Sequence, residues 1–156
     1  MNKIKYILLA LMMVLMTGAM AKSKNVQVPH VYIFGFSASF QDSTIYMTEI
    51  QDLQGAWMNK KTKFLLGRDN YSYQLSNYFT ENGQPNRVCM VFFSTSKSKA
   101  EKKFLKMRKK YSAIQKQKKK SKKANKGAEV APYDLKYVTL QDFHFEPVDM
   151  SDQNDQ

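Results

Sequence analysis

The sequence predicts an α+β domain, with one mainly antiparallel four- to five-stranded sheet, two to three helices packed on one face, and a basic helix extension and loop. Three observations carry this reading. Apolar residues recur with strand and helix periods in the order strand, strand, helix, helix, strand, helix, strand, strand. Arg87–Phe93 is an apolar run after its first residue, as in a strand buried on both faces, and it leads into a helix start. Fifteen lysines and arginines, with one acid, lie between Lys97 and Lys126.

The elements follow in order. Residues 22–29 are a polar, flexible lead-in to a single domain over 30–148. His30–Phe40 alternates as a strand, with Tyr32, Phe34, Phe36, Ala38 and Phe40 on one face. Gln41-Asp42-Ser43 is a turn, and Thr44–Thr48 returns as the second arm of a hairpin. Thr48-Glu49-Ile50-Gln51 has capping-box spacing, and Ile50, Leu53 and Trp57 share a helical face, so a short helix is expected to about Met58. A second helix is expected from about Tyr71, with Leu75, Tyr78 and Phe79 along one side, ended by Asn82-Gly83 and Pro85. After the apolar strand, Ser98-x-x-Glu101 is a further capping box. Ala100, Phe104, Met107, Tyr111 and Ile114 then make one stripe on a helix otherwise clad in lysine. The stripe stops at Gln115, so 115–132 reads as a basic, partly disordered insert. Tyr133–Leu140 and Phe143–Glu146 read as strands ending at Pro147, followed by an acidic tail over 149–156.

The first 21 residues read as a signal peptide. Lys3 and Lys5 precede an apolar run over Tyr6–Met16, too short for a stable membrane span, and Ala19-x-Ala21 predicts cleavage after Ala21. A periplasmic or secreted location is expected, with no transmembrane segment after signal removal. Cys89 is the single cysteine, so an internal disulfide is excluded and stability rests on the core. Outside the leader and the basic segment the chain has eight basic and twelve acidic residues, so a mildly acidic body carries one basic arm.

No catalytic or cofactor signature stands out, and no cofactor or metal is expected. Gly35-Phe36-Ser37-Ala38-Ser39 lacks the second glycine and the sharp turn of a nucleophile elbow. Cys89 with His30 or His144 would make a thiol dyad only if the fold brought them together. Asp42, Glu49 and Asp52 are accounted for by turn and helix-start chemistry. Trp57, Tyr71, Tyr73 and Tyr78 are candidates for an aromatic groove, with core packing as the competing explanation. The candidate anion-binding residues are Lys102, Lys103, Lys106, Arg108, Lys109, Lys110, Lys116, Lys118, Lys119, Lys120, Lys122 and Lys123, acting as a diffuse cationic surface. The acids of the C-terminal region, among them Asp149, Asp152 and Asp155, are the internal competitors for that charge.

Val31-Tyr32-Ile33-Phe34-Gly35-Phe36 with Asp42–Tyr46, and Leu66–Tyr73 with Gly83–Arg87, resemble uncharacterised small exported proteins of Bacteroidetes-type bacteria. That resemblance implies an envelope or secreted location and supplies no activity. Val91–Met107 is similar to the second strand and helix of SPOR-type peptidoglycan-binding domains, without a matching first half. The expectation is a non-enzymatic binding or scaffolding protein that meets lipid phosphate, acidic glycan or another envelope protein. Nucleic acid is disfavoured, since lysine outnumbers arginine and no aromatic residue interrupts 115–126. The alternatives are a small hydrolase-like enzyme using Cys89 or Ser37, and a protein-interaction module in which the arm is incidental.

Overall fold

The structure is a computed structural model that describes residues 24–112 and 133–151. The elements are β1 (Asn25–Val28), β2 (Val31–Ala38), β3 (Thr44–Thr48), β4 (Gln51–Leu53), β5 (Ala56–Asn59), α1 (Arg68–Glu81), β6 (Val88–Ser94), α2 (Lys97–Ser112) and β7 (Asp134–Val138). The predicted leader, the 115–132 insert and the end of the acidic tail lie outside the described residues.

β2 organises the sheet. One of its edges pairs antiparallel with β6 from Tyr32↔Ser94 to Ala38↔Val88. The other edge pairs with β3 and then β4. Phe36↔Met47 and Ile33↔Gln51 differ by one residue in register, so β3 and β4 act as one strand with a bulge between Thr48 and Gln51. β7 closes the order on β3, parallel to it, with Ile45↔Leu135 and Thr48↔Val138 in register. β1 and β5 form a separate antiparallel ribbon.

The α+β class and the mainly antiparallel five-stranded sheet agree with the sequence reading. The helices divide between the two sheet faces rather than sharing one, because β2 is apolar on both sides. Val31 and Ile33 pack with Tyr71, Leu75 and Phe79 of α1, while Phe34 and Phe36 pack with Phe104, Met107 and Tyr111 of α2. Burying each such β2 side chain contributes about 1.5–3 kcal/mol.

Several local expectations differ from the fold. The predicted helix over 48–58 is strand. Burial alternates at Gln51 and Leu53 and again at Ala56 and Met58, and Gly55 turns between the two strands at φ 72°. Thr48 does not cap a helix; its hydroxyl accepts from the Gly35 N–H and donates to the Glu49 carbonyl. The lead-in contains β1, held by β5, which lies in the segment whose spacing predicts a helix. The apolar 88–94 run is an edge strand, with Val88 and Met90 exposed. Phe40, expected on the inner face, lies past the end of β2 and is 96% exposed. Helix α2 begins at Lys97, so Ser98 is inside it rather than at its cap.

Phe143–Glu146 is not a sheet strand. Two glutamine side chains replace a partner backbone. Gln51 donates to the Phe143 carbonyl and accepts from the Phe145 N–H, and Gln74 does the same for the Glu146 carbonyl and N–H. This pins Phe143 and Phe145 into the core against Tyr78 and Tyr71.

Gly35 sits where α1 approaches most closely. A Cβ there would lie 2.5 Å from Leu75 Cδ2 and 3.3 Å from the Phe145 ring. Gly35→Ala is therefore expected to destabilise by about 1–3 kcal/mol through overpacking, read as a lower urea midpoint at unchanged m-value.

Candidate functional site

Helix α2 presents the predicted cationic surface. Its buried side is the stripe Ala100, Phe104, Met107 and Tyr111. Phe104 meets the Phe34 ring edge-on at 5.3 Å, and Tyr111 meets Phe36 at 5.1 Å. At about 100° per residue, Lys102, Lys106 and Lys109 project opposite this stripe, and Lys103 and Lys110 lie on one flank. Arg108 lies on the other flank, near Glu101 and the exposed Leu105. All six predicted cations of the helix are exposed. Lys103 Nζ rests 4.8 Å over the Phe92 ring and Lys110 Nζ 5.1 Å over Tyr111, so the stems of these two cover aromatic surface.

Among the described residues, none of these cations pairs with a carboxylate. The ion pairs found there are His30–Asp52, Arg87–Asp42 and Lys136–Asp134. Lys116, Lys118, Lys119, Lys120, Lys122 and Lys123 lie outside the described residues, as do Asp152 and Asp155. Asp149 accepts from the Ser151 N–H, which lowers its carboxyl pKa.

A second polar cluster lies on the α1 face of the sheet. Arg87 is buried; its Nε donates to Ser37 Oγ at 3.1 Å, its Nη1 to Asp42 Oδ2 at 3.1 Å, and its Nη2 to the Thr44 carbonyl. Its guanidinium also lies 4.7 Å over the Tyr46 ring. Cys89 Sγ donates to Ser37 Oγ at 3.4 Å. Burial pushes the Cys89 thiol pKa up, outweighing the Ser37 hydrogen bond and the nearby Arg87 charge. This environment suppresses a nucleophilic thiolate. Among the described residues, the hydrogen-bond partners of the Ser37 hydroxyl are the Arg87 guanidinium and the Cys89 thiol.

Among the described contacts, Cys89 meets neither His30 nor His144. His30 binds Asp52 beyond the far end of β2, about 20 Å from Ser37 at strand rise. His144 is exposed between two buried phenylalanines. Sequence reading missed Arg87 as the centre of this cluster. The available signal was a lone arginine opening an apolar strand, with Asp42 in a turn that the sheet brings alongside.

The aromatic candidates are not gathered. Tyr71 is buried and its hydroxyl accepts from the Val148 N–H, and Tyr78 packs between Phe79 and Phe143. Trp57 instead lines an open groove of about 400 Å³ with Gln27, Gly55 and Pro147. Among the described residues no three His, Cys, Asp or Glu side chains converge as a metal site. No helix of the described residues is long and apolar enough to cross a membrane.

Two outcomes follow. Asp42→Ala should destabilise by about 1.5–3 kcal/mol, since it removes an acceptor from a buried guanidinium, measured by chemical denaturation. Cys89 should react with a thiol reagent at pH 8 at least about tenfold more slowly in the folded protein than in urea. Raising the pH through the ordinary thiol range should cost stability, because the unfolded thiol loses its proton first.

No protein-family model matches this chain, and neither a curated protein nor a solved structure matches it.

Proposed function

We propose that the protein is an exported, non-enzymatic binding or scaffolding protein whose lysine-rich surface contacts an anionic component of the cell envelope. The observation that supports this reading is the outward face of α2. Lys102, Lys106 and Lys109 project away from the body on a helix packed against the sheet by its aromatic stripe, with no carboxylate paired to them among the described residues. Lysines are strongly hydrated point charges suited to a diffuse surface of phosphate or carboxylate groups rather than to one bidentate partner. Each contributes on the order of 1 kcal/mol near an anionic membrane surface. The fold keeps this helix on the opposite side of the sheet from Cys89 and Ser37, so the surface needs no contribution from the polar cluster.

The test is retention of the protein, as processed by its cells, on phosphatidylglycerol vesicles. Binding is expected at low ionic strength and release at about 0.5 M salt, where screening acts within a few ångströms. Reversing Lys102, Lys106 and Lys109 to Glu together should weaken binding at least about a hundredfold while leaving the melting transition intact. Retention indifferent to both salt and reversal would sink the reading.

A further inference from the structure

We propose that the open edge of β6 binds an extended, acidic segment of a partner protein as an added strand. The Gly35 N–H donates to Thr48 Oγ1, on the β3 side of β2. Gly35 therefore turns its backbone groups away from its β6 partner Val91, and the pair is of the non-hydrogen-bonded kind. By strand alternation, Cys89, Val91 and Phe93 all direct N–H and C=O away from β2. Among the described residues no strand pairs with that edge and no turn or side chain bonds those groups. The seven-residue strand Val-Cys-Met-Val-Phe-Phe-Ser has no charge, proline or glycine to discourage pairing.

The chemistry beside this edge selects the occupant. On one sheet face, Lys99, Lys103 and Lys110 recur at spacings of four and seven, forming a line along one flank of α2. Lys103 lies over Phe92, which turns this line toward β6. On the other face, Arg68 at the start of α1 lies 4.8 Å from the Phe64 ring centre and 5.7 Å from that of Phe93. Its Nε is buried without a hydrogen-bond partner, and no carboxylate pairs with it among the described residues. An added strand would thus have a row of ammonium groups above it and a guanidinium below it near Phe93. Acidic side chains meet both, and apolar ones at intervening positions meet exposed Val88 and Met90. A second copy would set two lysine-lined helices beside each other, and the chain's own lysine-rich 115–126 would meet like charge. Charge therefore favours a foreign acidic strand, bound by main-chain hydrogen bonds with specificity from alternate side chains. This inference goes beyond the envelope-surface reading and shares with it only the positive charge of α2.

The test uses the processed protein and a blocked seven-residue peptide of alternating valine and glutamate, matched to β6 in length. Amide exchange followed by NMR should show Cys89, Val91 and Phe93 slowed on peptide addition, while Met90 and Phe92 are already slow. The corresponding valine–lysine peptide should not bind. Met90→Glu, an exposed position, should weaken the acidic peptide about tenfold and leave salt-dependent vesicle retention in place, so the two readings fail separately. Binding that spares those three amides would overturn the proposal. So would their slow exchange in the free protein at low concentration, which would mean the chain covers its own edge. Protection that appears only as protein concentration rises would assign the edge to a second copy instead.

Discussion

Burial of both faces of β2 is the constraint from which the rest of the architecture follows. A strand with Val31 and Ile33 on one side and Phe34 and Phe36 on the other cannot leave either side in water. Two helices are therefore required, one per face, and the chain supplies α1 before β6 and α2 after it. Gly35 adds a geometric condition on the α1 side. With no side chain there, Leu75 and Phe145 close over the strand, and the C-terminal segment packs against the same core.

Polar groups finish what apolar packing begins. Segment 143–146 contributes two core phenylalanines without joining a sheet, so its backbone needs partners from elsewhere. Gln51 and Gln74 provide them as amide pairs, tying β4 and α1 to the same segment. At the other end of β2, Arg87 satisfies the buried Ser37 and ties β6 to the Asp42 turn. Both clusters have a structural explanation in the bonds they satisfy, and the proposed function lies outside them.

The fold class, the β2–β3 hairpin, α1 and the α2 stripe were legible because each shows one period over enough residues to be unambiguous. Residues 48–58 were not. Ile50, Leu53 and Trp57 fit a helical face by spacing, while Gln51, Leu53, Ala56 and Met58 carry the strand pattern across a Gly55 turn. A buried glutamine is hard to foresee, since its worth depends on a backbone more than ninety residues later. The apolar run at 88–94 signalled burial, but it could not show that one strand edge would stay open. That depends on pairing order, which no local pattern encodes. The cationic helix was legible as composition, whereas the line of lysines facing β6 required knowing which flank lies over Phe92.

Among the described residues no acid of the body pairs with the basic helix, and the reason is local. Asp42 is committed to Arg87 and the Thr44 N–H, Asp52 to His30, and Glu49 to the Leu140 N–H. Asp142 holds Thr139, Asp134 pairs with Lys136, and Asp149 caps Ser151. These carboxylates serve turns and strand ends, and moving one to α2 would leave a hydrogen-bond donor unmet. The cost of gathering like charges on α2 is borne by its aromatic contacts with the sheet, not by counter-ions from the described body. A one-sided charge of this kind is what supports the proposed contact with an anionic partner. In the proposed strand addition, the same helix sets the flank that carries Lys103 over Phe92 beside the open edge of β6, which would make a general attraction directional.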